Sequence, residues 1–227
     1  MPDSTVPDDP PDASFDAFAA QFREYLLNEV NWEPVIPPDL SGEERWQRIC
    51  QILGEQFQHA GRAALDAVPT LRRLDRDGNL AQKLDLFDVY LQDEDFTSAI
   101  SLFVGESSQP LMEIGNRCFH EGAIADAKQV YAFAQFANPL AVEPLIGQLT
   151  IEWEERGVER AADLYSAVVD LYQEPLLDMF AADCFHEAGQ LDKARALRER
   201  ALQQVTGDGE FADEYGHLAE ELRNSLA

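Results

Sequence analysis

Apolar residues recur every three or four positions along most of the chain, the spacing that gathers them on one face of an α-helix. Phe15, Phe18, Phe22, Leu26 and Val30 form the first such stripe, and Trp46, Ile49, Leu53 and Phe57 form the second. Ser41 with Glu44 three residues on has the form of a capping box at the start of that second helix. Residues 31–40 between the stripes contain three prolines, which remove backbone donors and disfavour the helical conformation before them, so an extended connection is predicted there. Pro69 and the Asp77-Gly78 pair punctuate the next stretch, and residues 80–91 and 96–104 read as further helices. Nowhere do β-branched residues alternate over a sustained run, so the chain is predicted to be all-α.

The second half of the chain adds a longer period. Gly115, Gly122, Ala127, Tyr131, Ala134 and Pro139 form one series of small, turn and aromatic residues. Leu149, Trp153, Gly157, Ala161 or Ala162, Tyr165 and Val168 form a second, and Ala182, Gly189, Ala194 and Ala201 a third. The turn glycines Gly122, Gly157 and Gly189 are 35 and 32 residues apart, bracketing the roughly 34-residue period of tetratricopeptide repeats. Three antiparallel helix pairs are therefore expected over 105–207, after an N-terminal helical region at 14–104. The second copy needs a one-residue shift, because Gly157 fits with Ala162 while Tyr165 fits with Ala161. Phe211, Tyr215, Leu218 and Leu222 predict a capping helix within 208–227. Residues 1–13 hold four Asp, four Pro and no Lys or Arg, the composition of a flexible acidic tail.

In a stack of helix pairs the first helices line a concave face. With each turn glycine taken as repeat position fifteen, positions five, nine and twelve point into it. They are Met112, Asn116 and Phe119, then Gly147, Ile151 and Glu154, then Met179, Asp183 and His186. Met, Phe and Ile mixed with a few polar groups suit an extended peptide, its apolar side chains in pockets and its backbone held by Asn116, Asp183 or His186.

Charge narrows the partners. The 227 residues carry 43 Asp and Glu against 17 Lys and Arg, a formal net charge of -26. Such a surface repels nucleic acid and anionic membranes, and no apolar run is long enough to cross a bilayer. Only three of the basic residues are lysines, a usage that salt adaptation would also produce. Cys50, Cys118 and Cys184 are widely spaced and odd in number, as expected of thiols in a reducing compartment, and the N-terminus has neither the basic nor the apolar region of a signal peptide. A cytoplasmic location is expected.

Candidate chemistry is sparse. The motif CFHE occurs at 118–121 and 184–187, but residues two apart on a helix point about 200° apart, so neither Cys-x-His pair converges on a metal ion. Aligning the Asp77-Gly78 turn with a calcium loop puts Arg73 and Leu84 where carboxylates are required, which favours a plain turn. With no phosphate-binding, dinucleotide or nucleophile-elbow motif, no catalytic residues, metal or cofactor are expected.

Residues from about 88 to 225 resemble the class II chaperones of bacterial type III secretion, the CesD/SycD/LcrH family. The likeness rests on the link DFTSAISLFVGESSQPLMEIGNRCFHEG, on the third-repeat run QEPLLDMFAADCFHEAGQLDKA, and on the end of the chain about one helix later. The resemblance implies a bacterial cytoplasmic protein without catalytic residues that holds a hydrophobic translocator, or another secreted protein, by an extended segment in its groove. It also implies self-association through the N-terminal part, a homodimer. Of the aromatics the family places in its first groove helix only Phe119 is present, and Gly147 stands in for a bulkier residue. The alternative from the repeats alone is a tetratricopeptide scaffold or regulator that binds a folded partner.

Overall fold

Where a helix must reverse direction within three residues, the backbone needs one left-handed residue to close off the last carbonyls. Gly122 and Gly189 supply it at φ of 76° and 74°. In both turns the hydrogen bonds are the same: Gly122 donates to Phe119 O and Ala123 to Cys118 O, as Gly189 donates to His186 O and Gln190 to Phe185 O, all at 2.8 to 3.0 Å. Two equivalent helix hairpins result, one from each CFHE motif.

The computed structural model describes residues 23–28, 30, 36, 39–53, 66–93, 95–103, 108–206, 209 and 211–226. Every regular element among them is helical. Helical residues 23–28 (α1), Gly42–Leu53 (α2), helical residues 66–74 (α3), Ala81–Gln92 (α4) and Phe96–Ser101 (α5) make the N-terminal part. Three pairs follow: Gln109–His120 (α6) with Ile124–Ala137 (α7), Val142–Arg156 (α8) with Val158–Tyr172 (α9), and Pro175–Glu187 (α10) with Leu191–Gln204 (α11). The predicted tail at 1–13, the stripe residues Phe15, Phe18, Phe22 and Phe57, and Val104 lie outside the described residues.

Local signals explain most boundaries. Ser41 and Glu44 cap α2 reciprocally, Glu44 N–H donating to Ser41 Oγ at 3.3 Å and Ser41 N–H to Glu44 Oε2 at 3.1 Å. Asp75 accepts the Leu80 N–H at 2.8 Å and so closes the turn that contains Gly78. The Glu174 carboxylate accepts the Leu177 N–H at 3.0 Å and Pro175 follows at the first helical position, so α10 starts with a cap and a pre-set φ. Two expectations change. Pro69, read as a break, lies inside α3 near the start of its described stretch, where a missing donor costs little. The single capping helix is divided into Ala212–Tyr215 (α12), a 3-10 turn at Gly216–Leu218, and Ala219–Leu226 (α13).

Each of the six paired helices packs on its neighbours in sequence, α6 and α10 each also touch α8, and α13 packs on α11. Helices α6, α8 and α10, here the A helices, therefore lie side by side in one layer, with the B helices α7, α9 and α11 behind them. The first hydrophobic core runs from Tyr25 and Leu26 through Leu71, Leu84 and Phe103 to Val130, Phe133 and Ile151. The N-terminal helices and the first pair thus share one interior across residue 104. Phe87, Phe103 and Phe133 meet edge to face at its centre, with centroids 5.7, 5.8 and 5.0 Å apart. Arg73 pairs with Asp126 at 2.8 Å, and Arg117 donates to Leu74 O at 2.6 Å, which ties α3 to the first pair. A second core spans α8 to α11, and a third, of Ala201, Val205, Ala219 and Leu222, closes the C-terminal end.

Among the described residues one charge is wholly inside. Asp178 on α10 is fully buried and meets Arg200 of α11 twice, Nε to Oδ2 at 2.7 Å and Nη2 to Oδ1 at 2.5 Å. Arg200 also donates to Asp170 Oδ1 and to Val169 O at 3.1 Å, so one guanidinium joins α9, α10 and α11. The two partners are unequal, since Arg200 keeps 30% of its side-chain exposure while Asp178 keeps none. Arg200→Ala is expected to cost about 3–5 kcal/mol in urea denaturation, because it strands a buried carboxylate, and Asp178→Ala distinctly less, because Arg200 retains Asp170 and water. Burial also pushes the Glu174 carboxyl above its ordinary 4.5. The folded state then binds protons that the unfolded state does not, and stability rises as pH falls through the raised value toward 4.5. Lower pH and added salt also relieve repulsion within a chain of charge -26. The melting temperature should therefore increase from about pH 7.5 to about pH 5.5, and with salt at fixed pH.

Candidate functional site

Helix α8 has α6 and α10 on its sides and all three A helices have B helices behind, so the opposite stripe of each faces solvent. On α6 this stripe is Gln109, Glu113, Asn116 and His120; on α8 it is Glu143, Gly147, Thr150 and Glu154; on α10 it is Leu176, Phe180, Asp183 and Glu187. Together they make one surface, the A face. Phe180, 40% exposed, is its most prominent apolar group. Met112 and Phe119 border the α6 stripe, half-buried against the first core.

The middle of this face has a floor. Tyr131, on α7, is buried with one ring edge toward Gly115 of α6 and the other toward Gly147 of α8. A Cβ placed on Gly115 would lie 2.6 Å from the ring, and one on Gly147 2.7 Å from it. The Tyr131 hydroxyl donates to Asn116 Oδ1 at 2.7 Å, and burial pushes its pKa to about 12. The space a side chain on Gly147 would need is thus filled by the ring.

The structure brings four of the nine predicted groove residues onto the exposed stripes: Asn116, Gly147, Glu154 and Asp183. Met112 and Phe119 flank them. Ile151 is 1% exposed and belongs to the first core, so it is no groove residue. Met179 packs half-buried in the cluster with Ala201, Val205 and the C-terminal helix. His186 is exposed at the edge of the α10 stripe, and Asp183 is paired with Arg198 at 2.8 Å. Gly147 is not a vacated groove position but the counterpart of Tyr131.

The shift in the second pair has a local cause. Gly157 alone joins α8 to α9, at φ 90° and ψ 167°, whereas three residues join the helices of the other two pairs. Counting back from Gly157 as though its turn matched the others misplaces Ile151. Leu176, Phe180, Glu113 and Glu143 were missed because only these solvent stripes, set by neighbouring helices, single them out. Asp178 was missed too, although an acid among Leu177, Ala181 and Ala182 on an otherwise buried face was a signal.

The face offers surface rather than reactive groups. Cys118 and Cys184 are buried and His120 and His186 exposed, so each Cys-x-His pair is divided between core and solvent. Burial lifts the Cys184 thiol to about 11. Among the described residues no three His, Cys, Asp or Glu side chains are grouped as a metal would require. No described helix is long and apolar enough to cross a membrane.

No family model, curated protein or solved structure compared with the chain matches it. The geometry of the A face therefore carries the functional reading. Its dependence on Tyr131 is open to a direct check: Gly147→Ala should destabilise the fold by about 1–3 kcal/mol through overpacking, and Tyr131→Leu in the same chain should recover part of that loss. Urea titrations of the two single variants and the double variant measure the coupling.

Proposed function

We propose that the chain is a tetratricopeptide-repeat chaperone of the class II type III secretion kind, which keeps a hydrophobic translocator or other secreted protein soluble by holding one of its segments on the A face. The observation that carries the reading is the open face of three adjacent A helices, with Phe180 and Leu176 at one end and Met112 and Phe119 at the other. The repeat assignment is supported by the matching turns at Gly122 and Gly189, which stand about two 34-residue periods apart. The chaperone assignment rests on the sequence resemblance. Sequestration fits such a face energetically: each large apolar side chain fully buried stabilises the complex by roughly 1.5–3 kcal/mol, against about 2–5 kcal/mol for ordering the segment.

A scaffold that binds a folded partner is the second reading. It is favoured by Leu86, 38% exposed, and Val89, 49% exposed, one turn apart on α4, outside the paired helices. Co-expression with a hydrophobic translocator separates the two. Phe119→Ala and Phe180→Ala should each reduce the cargo recovered in the soluble fraction by about tenfold while helical content stays unchanged, and Leu86→Ser/Val89→Ser should leave recovery intact. The reverse pattern would favour the scaffold. Phe180 is the probe on α10 rather than Met179, which packs in the C-terminal cluster.

A further inference from the structure

The chain is acidic throughout, yet its helix layers are not equally so. The three A helices carry eight Asp or Glu and two Lys or Arg, whereas the three B helices carry six of each. The excess negative charge of the paired helices therefore lies on one layer. On the exposed stripes the asymmetry is complete: Glu113, Glu143, Glu154, Asp183 and Glu187 are present, with no Lys or Arg. The two basic residues of the A helices are engaged elsewhere, Arg117 with the Leu74 carbonyl and Arg156 with Glu152. Of the five stripe acids only Asp183 has a cationic partner among the described residues.

An apolar surface that serves a neutral hydrophobic segment gains nothing from such a border. Fixed like charges around a desolvated contact repel one another and are relieved by a partner of opposite sign. We propose, resting on the A-face reading above, that the segment held there is cationic and amphipathic. Its apolar side chains are seated on Phe119, Leu176 and Phe180, and its Lys or Arg side chains lie over Glu143, Glu154 and Glu187. The acidic stripe then selects among hydrophobic sequences and rejects anionic ones, while the apolar positions supply most of the hold.

The test uses the whole chain and three labelled synthetic peptides of equal length and leucine content, alternating leucine with lysine, glutamate or serine, read by fluorescence anisotropy. Leucine-lysine should bind at least about tenfold tighter than leucine-glutamate, and the gap should shrink as salt is raised. Glu154→Lys/Glu187→Lys should weaken leucine-lysine by about tenfold and strengthen leucine-glutamate. Glu159→Lys/Asp163→Lys on α9 changes the net charge equally, and should alter either peptide by less than about threefold, with circular dichroism confirming that both variants fold. If the α9 variant matches the A-face variant, or if wild-type chain holds leucine-lysine and leucine-glutamate alike, the proposal is overturned. The serine peptide tests the underlying reading separately: its loss in Phe119→Ala keeps the A face as the binding surface whatever the lysine result, whereas unchanged binding of all three peptides removes both.

Discussion

Two helices from consecutive pairs can lie side by side only as closely as the side chains between them permit. In this chain one aromatic ring sets that distance at the first joint. Tyr131 stands behind α6 and α8 with a glycine at each edge, and neither glycine position has room for even a methyl group. The contact matters beyond its own area because it lies where the first hydrophobic core gives way to the second. Ile151 of α8 belongs to the first core, while Val142, Ile146 and Leu149 of the same helix belong to the second. One helix thus serves two interiors, and the ring fixes how it is placed between them. Asn116 is drawn into the same arrangement by the tyrosine hydroxyl, so a polar group of the exposed face is oriented from the core.

The second joint is made differently. Between α9, α10 and α11 the contact is ionic, with Arg200 holding the buried carboxylate of Asp178, the carboxylate of Asp170 and the carbonyl of Val169. Such a pair contributes little net stability compared with apolar packing, because both ions lose water. Its geometry is demanding, however, and a demanding contact admits few alternative packings. The first joint resists compression through van der Waals contact, and the second resists rotation through directional hydrogen bonds. Both keep the A helices in register.

Much of this was legible in the sequence, and the failures are as physical as the successes. The hairpins at Gly122 and Gly189 were readable because a left-handed turn residue and a fixed set of small residues recur together. The capping box at Ser41 was readable because its hydrogen bonds are local. The second pair was misregistered because the Gly157 connection is one residue long, and repeat counting assumes equal turns. The fate of Met179 depended on where the C-terminal segment folds back, a long-range matter that a helical stripe does not encode. Of the site, the A helices and four of their twelve facing residues were recoverable. The charge difference between layers was not, since it exists only once the helices are sorted by layer.

Both ends of the array of pairs are occupied, and that has a consequence for length. The N-terminal helices enter the first core, and α13 covers α11, so no further pair can be added at either end without uncovering apolar surface. The exposed face is held at three helices. With axes about 8–10 Å apart and helices about 10 Å across, it spans roughly 26–30 Å. An extended chain advances about 3.3 Å per residue, so a segment held there as proposed would have about eight or nine residues in contact. Whatever lay beyond that length on either side of such a segment would leave the surface and remain accessible to other proteins.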